Sequence, residues 1–329
     1  MRNSTKTNIF YFIVVLLGLL LLLPAGCSKP STAPPEEDLE NLDEEIEEEE
    51  EVEEENNIIL RHISPVTAVI NNYSAARPQS GLQQATIVYE FLVEGSLTRF
   101  LAVYDTPFTD NFLVGPVRSL RPYLAEQALE HGGAVANSGY SKRTAELIRG
   151  MPLKQITSAT YLFRDSSRKA PHNLYSDIEK LHKAAGTDLS DIKETEITLE
   201  ELPSEYEEGL EIEIIYNNNF NRVTYVYDEE KEVYLRFIND NPHTDRETSE
   251  QYNARRVILR LTPHRSVPGP EGLVDIELTG EGDGFLYEQG KKYPIRWKKE
   301  KGGPTRYYYT DGTPVDTRWG NTWIQVVKP

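Results

Sequence analysis

Arginines recur within apolar stretches of the first half of the chain, where they could bind an anion. Arg99 lies in the run Thr98-Arg99-Phe100-Leu101, and Arg118 and Arg121 flank the dipeptide Ser119-Leu120. Arg121 directly precedes a proline that is suited to open a helix, and the positive N-terminal end of a helix favours an anion. Guanidinium groups also match the geometry of phosphate and carboxylate. The pattern predicts a site for an anionic ligand.

A second group of cations, Arg164, Lys169 and His172, crowds residues 163–173 and completes the candidate site. The alternative is a structural ion network, in which the arginines pair with nearby acids, because charges near a core are usually matched. The acids available for such pairing are Glu90, Glu94, Asp105 and Asp165. The sequence leaves both interpretations open, and His172 alone is more typical of a hydrogen-bonded loop histidine.

Glu90 and Glu94 are also candidates for a catalytic carboxylate pair. On one continuous strand their Cα atoms would lie about 13 Å apart. Glycosidase carboxylates lie about 5 to 9.5 Å apart, so the pair needs a bulge, for which Gly95 is a suitable residue. An enzyme acting on envelope glycans or lipid-linked phosphates, with Glu90 or Glu94 as its base, is therefore the alternative to a binding protein.

Other catalytic signatures are absent from the sequence. It contains no GxSxG, HExxH or P-loop motif, and its six histidines lack metal-like spacing. Its single cysteine excludes a disulfide framework and a CxxC zinc site. We therefore expect no metal and no cofactor. Aromatic residues of the second half predict either cross-strand core pairs or a sugar-stacking face, and they are Tyr307, Tyr308, Tyr309, Trp297, Trp319 and Trp323.

The N-terminus has the pattern of a lipoprotein signal peptide. Residues 9–23 are apolar apart from Gly18. This run is too short for a typical membrane span and has the length of a signal-peptide core. Pro24-Ala25-Gly26-Cys27 then resembles a bacterial lipobox, although Leu23 stands one place early. This predicts cleavage before Cys27 and acylation, with fatty chains such as palmitate, which anchors the protein outside the cytoplasm. An uncleaved N-terminal anchor is the alternative.

Charge is unevenly distributed along the chain. The full sequence has 35 basic and 53 acidic side chains, of which residues 36–55 hold 15 acidic and no basic ones. Three bases precede this run, so the part that follows carries 32 basic and 38 acidic side chains, a net charge of −6. Residues 28–57 are predicted to be a disordered acidic tether. The mildly acidic remainder gives no indication of nucleic-acid binding.

Hydrophobic patterns predict a mixed α/β first domain at residues 58–200. Strands are expected at 65–70, 85–90, 98–104 and 134–136, with helices at 122–129, 141–149 and 176–185. Residues 188–209 are acidic without a core pattern, which indicates a boundary, and residues 280–284 indicate a turn.

Residues 201–329 are predicted to form a β-rich second domain, a sandwich or barrel-like sheet. Its segments alternate or run apolar and are punctuated by glycine, proline, asparagine and aspartate. The fold class expected for the whole chain is α+β, in which a first domain with helices on a sheet precedes this second domain.

Several ordered motifs resemble the YerB family of bacterial lipoproteins. They include Ile87-Val88-Tyr89-Glu90, Gly115-Pro116-Val117-Arg118-Ser119 and Ala170-Pro171-His172-Asn173, and in the second half Gly320-Asn321-Thr322-Trp323-Ile324. The resemblance covers residues 60–329 and implies two domains outside the cytoplasm of a Gram-positive-type bacterium, with no biochemical activity that transfers. Thr86 stands where the family usually has aspartate.

A second resemblance, over about 40 residues, is to envelope glycan phosphotransferases that hold a polyprenyl pyrophosphate on arginines. The acid that would help to hold magnesium is missing. The function expected from the sequence is therefore a membrane-anchored lipoprotein on the outer face of the cell membrane, with the lipid as its membrane contact. Its partner would be an envelope polymer, a lipid-linked phosphate or a protein.

Overall fold

A computed structural model describes residues 57–199, 201–217, 219–269, 272–318 and 320–329 of the chain. The predicted signal peptide, Cys27 and the acidic segment up to residue 56 lie outside the described residues. All described residues belong to one compact unit. Within them the fold is mostly β, with 24 strands, three α-helices and two single-turn 3₁₀-helices.

The first half contains ten strands. They are β1 (Asn57–His62), β2 (Val66–Asn71), β3 (Ile87–Leu92), β4 (Thr98–Tyr104), β5 (Leu113–Val114), β6 (Ala134–Ala136), β7 (Lys154–Ile156), β8 (Phe163–Arg164), β9 (Leu174–Asp177) and β10 (Lys193–Thr198). The α-helices of the described residues also lie in this half, and they are α1 (Pro122–Leu129), α2 (Lys142–Leu147) and α3 (Ile178–Ala185). The 3₁₀-helices are Ser74–Ala76 and Glu94–Ser96.

The described part of the second half has strands and no helices. The strands are β11 (Glu207–Glu208), β12 (Glu211–Asn217), β13 (Asn221–Asp228), β14 (Val233–Ile238), β15 (Asn241–Pro242), β16 (Asn253–Ala254), β17 (Arg256–Leu261), β18 (His264–Ser266), β19 (Val274–Ile276), β20 (Gly280–Glu288), β21 (Lys291–Lys299), β22 (Thr305–Tyr309), β23 (Pro314–Val315) and β24 (Thr322–Val327).

One large mixed sheet contains strands from both halves. Its order is β23-β22-β21-β20-β17-β24-β3-β4-β2-β6-β7, with β11 added beside β21. The last strand, β24, pairs in parallel with β17 on one side and with β3 on the other. The expectation of a separate sandwich or barrel in the second half is therefore wrong, because half of its strands continue the sheet of the first half. The predicted boundary at residues 200 and 201 stays a prediction.

Core residues cover both faces of this sheet. On one face Val88, Phe100 and Trp323 pack with the buried side of a smaller sheet, β12-β13-β14-β15 with β16 beside β14. On the other face Tyr89 and Phe91 pack in one core with residues of α1. Because side chains alternate along a strand, neighbouring residues of β3 and β4 enter different cores. This alternation decides where the acidic residues of β3 and the following turn can reach.

The helices follow the predicted signals closely, with one exception. α1 begins at Pro122, and α3 ends at Gly186, which adopts a left-handed conformation with φ of 78°. The predicted start of the third helix at residue 176 is wrong, since Ser176 pairs with Val114 in a short sheet. α3 begins two residues later, at Ile178. Asp177 is its N-cap residue, and the Asp177 side chain accepts a hydrogen bond from the backbone N–H of Lys180.

Residues 280–284 are not a turn but the first part of β20, which pairs with β21 along its whole length. The glycines allow close approach of neighbours: a Cβ on Gly282 would lie 2.7 Å from the Trp297 ring nitrogen, and one on Gly284 would lie 2.5 Å from the Leu259 carbonyl oxygen. Glycine inside a strand often marks such a contact. Within the described residues, no helix has the length and apolarity that crossing a membrane requires.

Candidate functional site

Three arginines of the predicted site come together around Glu94, in what we call the Glu94 cluster: Glu94, Arg99, Arg118 and Arg121. Glu94 opens the single-turn helix that joins β3 to β4, and Gly95 makes the turn with a φ of 66°. Arg99 lies on β4, and Arg121 occupies the N-cap position of α1. The hairpin and the helix start therefore bring the carboxylate and these two guanidiniums to one place.

Both carboxylate oxygens of Glu94 are occupied. Arg99 donates from Nη2 to Glu94 Oε1 over 2.7 Å and from Nη1 to the Ser119 carbonyl over 2.6 Å. Arg121 donates from Nε to Glu94 Oε2 over 2.9 Å and from Nη2 to Oε1. Charge-assisted contacts of this kind are the strong ones. Glu94 is thus held as an ion-paired carboxylate and not as an available base.

Arg118 is placed by its backbone. Its N–H donates to the Val69 carbonyl on β2, and its own carbonyl accepts from the Ser138 N–H. Within the described part of the chain, the Arg118 guanidinium makes no hydrogen bond or ion pair of its own. Its charge nevertheless acts on Arg99, Arg121 and Glu94, so it lies within electrostatic reach of all three.

Burial and the neighbouring charges shift the pKa values of Glu94, Arg99 and Arg118. Partial burial opposes ionisation of Glu94, but Arg99 and Arg121 outweigh it and hold its pKa below the ordinary value. Burial, with Arg121 nearby, lowers the pKa of Arg99 to about 10, and burial also lowers that of Arg118. Because arginine stays protonated in proteins, the Glu94 cluster carries more positive than negative charge.

His172 lies beside this cluster. Asn71 donates from Nδ2 to His172 Nδ1 over 2.8 Å, and the Tyr73 ring stacks on the imidazole with centroids 5.2 Å apart. Burial, followed by the charges of Arg118 and Arg168, lowers the pKa of His172. A neutral imidazole accepts at Nδ1, so its N–H is at Nε2. His172 is hydrogen-bonded as a loop histidine and also lies within reach of the cluster.

Arg164 and Lys169 do not join the Glu94 cluster. Arg164 is exposed at the end of β8 and donates to the Asn173 side chain over 2.7 Å. Lys169 is exposed, and no side-chain contact to the cluster is found among the described residues. Of the six predicted cations, three surround Glu94, His172 lies alongside, and two lie apart.

Glu90 and Glu94 do not form a pair, because they lie on opposite faces of the large sheet. Glu90 is fully buried and accepts from Asn72, Thr98 and Arg236, the last over 2.6 Å from Nη2 to Oε2. Glu94 contacts Arg99. Arg99 follows Thr98 on β4, so the Arg99 side chain points to the face opposite that of Thr98. The carboxylate arrangement expected of a glycosidase is therefore absent from these two residues.

Sequence reasoning missed Arg236, which forms the only contact of an arginine with Glu90 in the described structure. Arg236 donates to His243 Nδ1 over 2.6 Å and to the Tyr225 hydroxyl over 3.1 Å. Its guanidinium carbon lies 4.9 Å from the centroid of the Trp323 ring. Burial opposes its charge, but Tyr225 and Glu90 outweigh this and raise the pKa of Arg236. No local signal predicted this, because Val233, Leu235 and Phe237 favour the opposite face of β14 as the buried one.

Four of the six aromatic residues that were candidates for a stacking face lie in the core. Trp297, Trp323, Tyr307 and Tyr309 are buried, and Tyr293 packs edge-on against Tyr309. They are core residues, whereas Trp319 lies outside the described residues. No group of three or more histidine, cysteine or acidic side chains in the described ranges is arranged to hold a metal ion.

Two family models match this chain. Residues 51–191 match the model described as "Protein of unknown function (DUF3048) N-terminal domain", and residues 212–324 match its C-terminal counterpart. The chain is 30% identical over 274 residues to "Putative lipoprotein YerB" of Bacillus subtilis (strain 168), which covers 80% of this chain and 81% of that protein.

A solved structure gives the same result. The crystal structure of YerB from Bacillus subtilis matches with a TM-score of 0.68 and 29% identity, over 82% of this chain and 92% of that one. The resemblance inferred from the sequence motifs is therefore confirmed. The chain belongs to the YerB family of proteins, which is built from the two DUF3048 domains.

Proposed function

We propose that this protein is a lipid-anchored extracytoplasmic protein that binds an anionic group of the cell envelope at the Glu94 cluster. The observation that carries the proposal is the imbalance of charge, since three guanidiniums surround one carboxylate. Two of them are held by Glu94, and Arg118 retains its hydrogen-bonding capacity. A phosphate or carboxylate that contacts Arg118 would complete the charge balance.

The surrounding protein makes this excess of charge informative. The part of the chain after the acidic run has a net charge of −6, so a general attraction of anions is not expected. A locally positive group in a mildly acidic protein instead favours anions at one place. Partial burial strengthens the effect, because charges in a low-dielectric setting interact more strongly than in water.

The membrane anchor rests on Cys27 and on the family. The lipobox-like sequence ends at this cysteine, and the relative from Bacillus subtilis bears the name of a lipoprotein. Acylation of Cys27 would hold the body at the outer face of the membrane, next to lipid-linked phosphates and wall polymers. An enzyme with Glu90 or Glu94 as its base is the weaker alternative, since arginines occupy both carboxylates.

The proposal is tested by isothermal titration calorimetry of the full chain in detergent micelles with inorganic pyrophosphate. Arg118→Ala should weaken binding about tenfold or more, because a hydrogen bond to a charged group contributes about 1.5–3 kcal/mol. Arg164→Ala is the matched control, since it removes an exposed arginine outside the cluster and should leave the affinity unchanged. Equal affinity in both variants, or no binding by the wild-type chain, would contradict the proposal.

A further inference from the structure

A cleft of about 250 Å³ opens where the two family-matched halves meet. Tyr73 follows β2, Leu97 precedes β4, and Phe220 belongs to the hairpin between β12 and β13. The cleft is smaller than a site for a drug-sized ligand, so it suits a single small ring with its substituents.

Two exposed aromatic rings line this cleft. Tyr73 is 41% exposed and Phe220 is 37% exposed, although large aromatic side chains are usually covered. The Tyr73 ring is fixed by its stacking on His172, at an interplanar angle of 19°. A ring held in this way offers a pre-oriented flat surface, on which the apolar face of a sugar can stack.

Arg77 contributes a positive charge to the otherwise mostly apolar lining of the cleft. Arg77 donates from Nε to Asn72 Oδ1 over 3.0 Å, from Nη2 to the Asn72 carbonyl over 2.8 Å and from Nη2 to Asn221 Oδ1 over 3.4 Å. Its Nη1 has no hydrogen-bond partner in the part of the chain described, so two N–H donors remain for a ligand. Burial, and the nearby charge of Arg236, lower the pKa of Arg77 to about 10, which still leaves it charged at neutral pH.

The charge on Arg77 is incompletely balanced. Glu90 lies within electrostatic reach, but its carboxylate is bound by Arg236, so two guanidiniums share one acid. The Asn72 side chain cannot supply further contacts, since its amide donates to Glu90 and Thr98 and its oxygen accepts from Arg77 and Gln79. What remains for a ligand is aromatic surface, guanidinium donors and the hydroxyls of Tyr73 and Ser74.

The cleft and the Glu94 cluster are connected. Tyr73 lines the cleft and stacks on His172, whose pKa is in turn lowered partly by the charge of Arg118. An oligosaccharide that places one ring in the cleft could therefore extend over His172 toward Arg118. Apolar ring faces, hydroxyl groups and regularly repeated negative charges are combined in acidic saccharides.

We infer that the cleft between Tyr73 and Phe220 binds a sugar unit of an acidic saccharide, whose negative group contacts Arg77. The inference rests on the proposed function, because the same ligand would contact Arg118 with a further negative group. It goes beyond that function by assigning a second subsite and the chemical class of the ligand. The negative group can be a uronic carboxylate or a sugar phosphate. The two N–H donors of Arg77 Nη1 fit both equally.

The test is a titration of the full chain in detergent micelles with trigalacturonate and, separately, with glucose 1-phosphate. Neutral maltotriose tests whether charge is needed. Phe220→Ala should weaken binding of the acidic saccharide that binds best by about fivefold or more, in line with the loss of one stacking contact. Phe163→Ala is the matched control, since Phe163 is 38% exposed and lies outside the cleft, and it should bind as the wild type does.

Pyrophosphate separates this inference from the proposed function. Its affinity should be unchanged in Phe220→Ala and reduced in Arg118→Ala. Pyrophosphate binding without binding of either acidic sugar would overturn the cleft assignment alone, as would equal sugar affinity in Phe220→Ala and Phe163→Ala. Tighter binding of maltotriose, or of adenosine monophosphate, than of both acidic sugars would also overturn it.

Discussion

Glu94 determines how much positive charge its three arginine neighbours present. It accepts hydrogen bonds from Arg99 and Arg121, and its charge also acts on Arg118. The carboxylate of Glu94 thus resembles the proposed ligand, because it too is an anion that accepts hydrogen bonds from guanidinium groups. A ligand has to bind where this internal anion leaves charge uncompensated, which is at Arg118.

We predict that Glu94→Gln raises the affinity for pyrophosphate by roughly tenfold, because it removes the negative charge that competes with the ligand. The same change should lower the free energy of unfolding by about 1–3 kcal/mol, since the almost buried Arg99 loses its ionic partner. Calorimetry and urea unfolding measure the two effects. Glu196→Gln, at an exposed residue of β10, should change neither. A weaker affinity in Glu94→Gln would show that Glu94 assists binding.

At the scale of elements, the buried pair of Glu90 and Arg236 joins the large sheet to the smaller one. Glu90 lies on β3 and Arg236 on β14, and both side chains are fully buried. Buried pairs are weak evidence of net stabilisation, but removal of one partner leaves an isolated charge. His243 adds a neutral contact, because burial and the charge of Arg236 hold its pKa well below the ordinary value.

We predict that Glu90→Gln lowers the free energy of unfolding by about 3–5 kcal/mol, because Arg236 remains charged without its carboxylate. The glutamine keeps the shape of the side chain, so the loss reports charge and not packing. Glu213→Gln is the control, since Glu213 is exposed and lies 3.8 Å from Arg222. This variant should lower the free energy of unfolding by less than about 1 kcal/mol. Urea unfolding of both variants decides, and similar small losses would refute the role assigned to Glu90.

Local patterns predicted the elements of this protein well and their assembly less well. Thr98–Tyr104 and Ala134–Ala136 match their predicted bounds, because strand propensity acts within a few residues. Pairing of β24 with β3 joins residues more than 200 positions apart, which no local pattern encodes. The same limit explains why Arg236 was missed as the partner of Glu90, from which it is 146 positions distant in the chain.

The candidate site was predicted in part for a similar reason. Arg118 and Arg121 are neighbours in sequence at a helix start, so their proximity followed from the motif. Arg164 and Lys169 were included only because cations crowd that segment, and the turn at residues 165–172 places them on the surface. Neither Phe220 nor Arg77 lies in a pattern that predicts a ligand site, and the cleft that they share exists only because distant segments of the chain meet.

At the scale of the whole molecule, the protein combines an N-terminal sequence typical of a lipid anchor with a body whose positive charge is concentrated. The body is acidic overall, and most of its arginines in the described ranges are paired with acids or carbonyls. Arg118 is partly buried and has no ionic partner among those residues, whereas Arg149, Arg265 and Arg306, which are also unpaired there, are exposed. The central claim is that this arginine is the contact point for an envelope anion.

Mass spectrometry of the full chain after treatment with phenylglyoxal, which modifies accessible arginines, tests this claim most directly. We predict that Arg118 is modified in the unliganded protein and protected when pyrophosphate is present. Arg164, which is exposed outside the Glu94 cluster, should be modified equally in both samples. Modification of Arg118 to the same extent with and without pyrophosphate would contradict the claim.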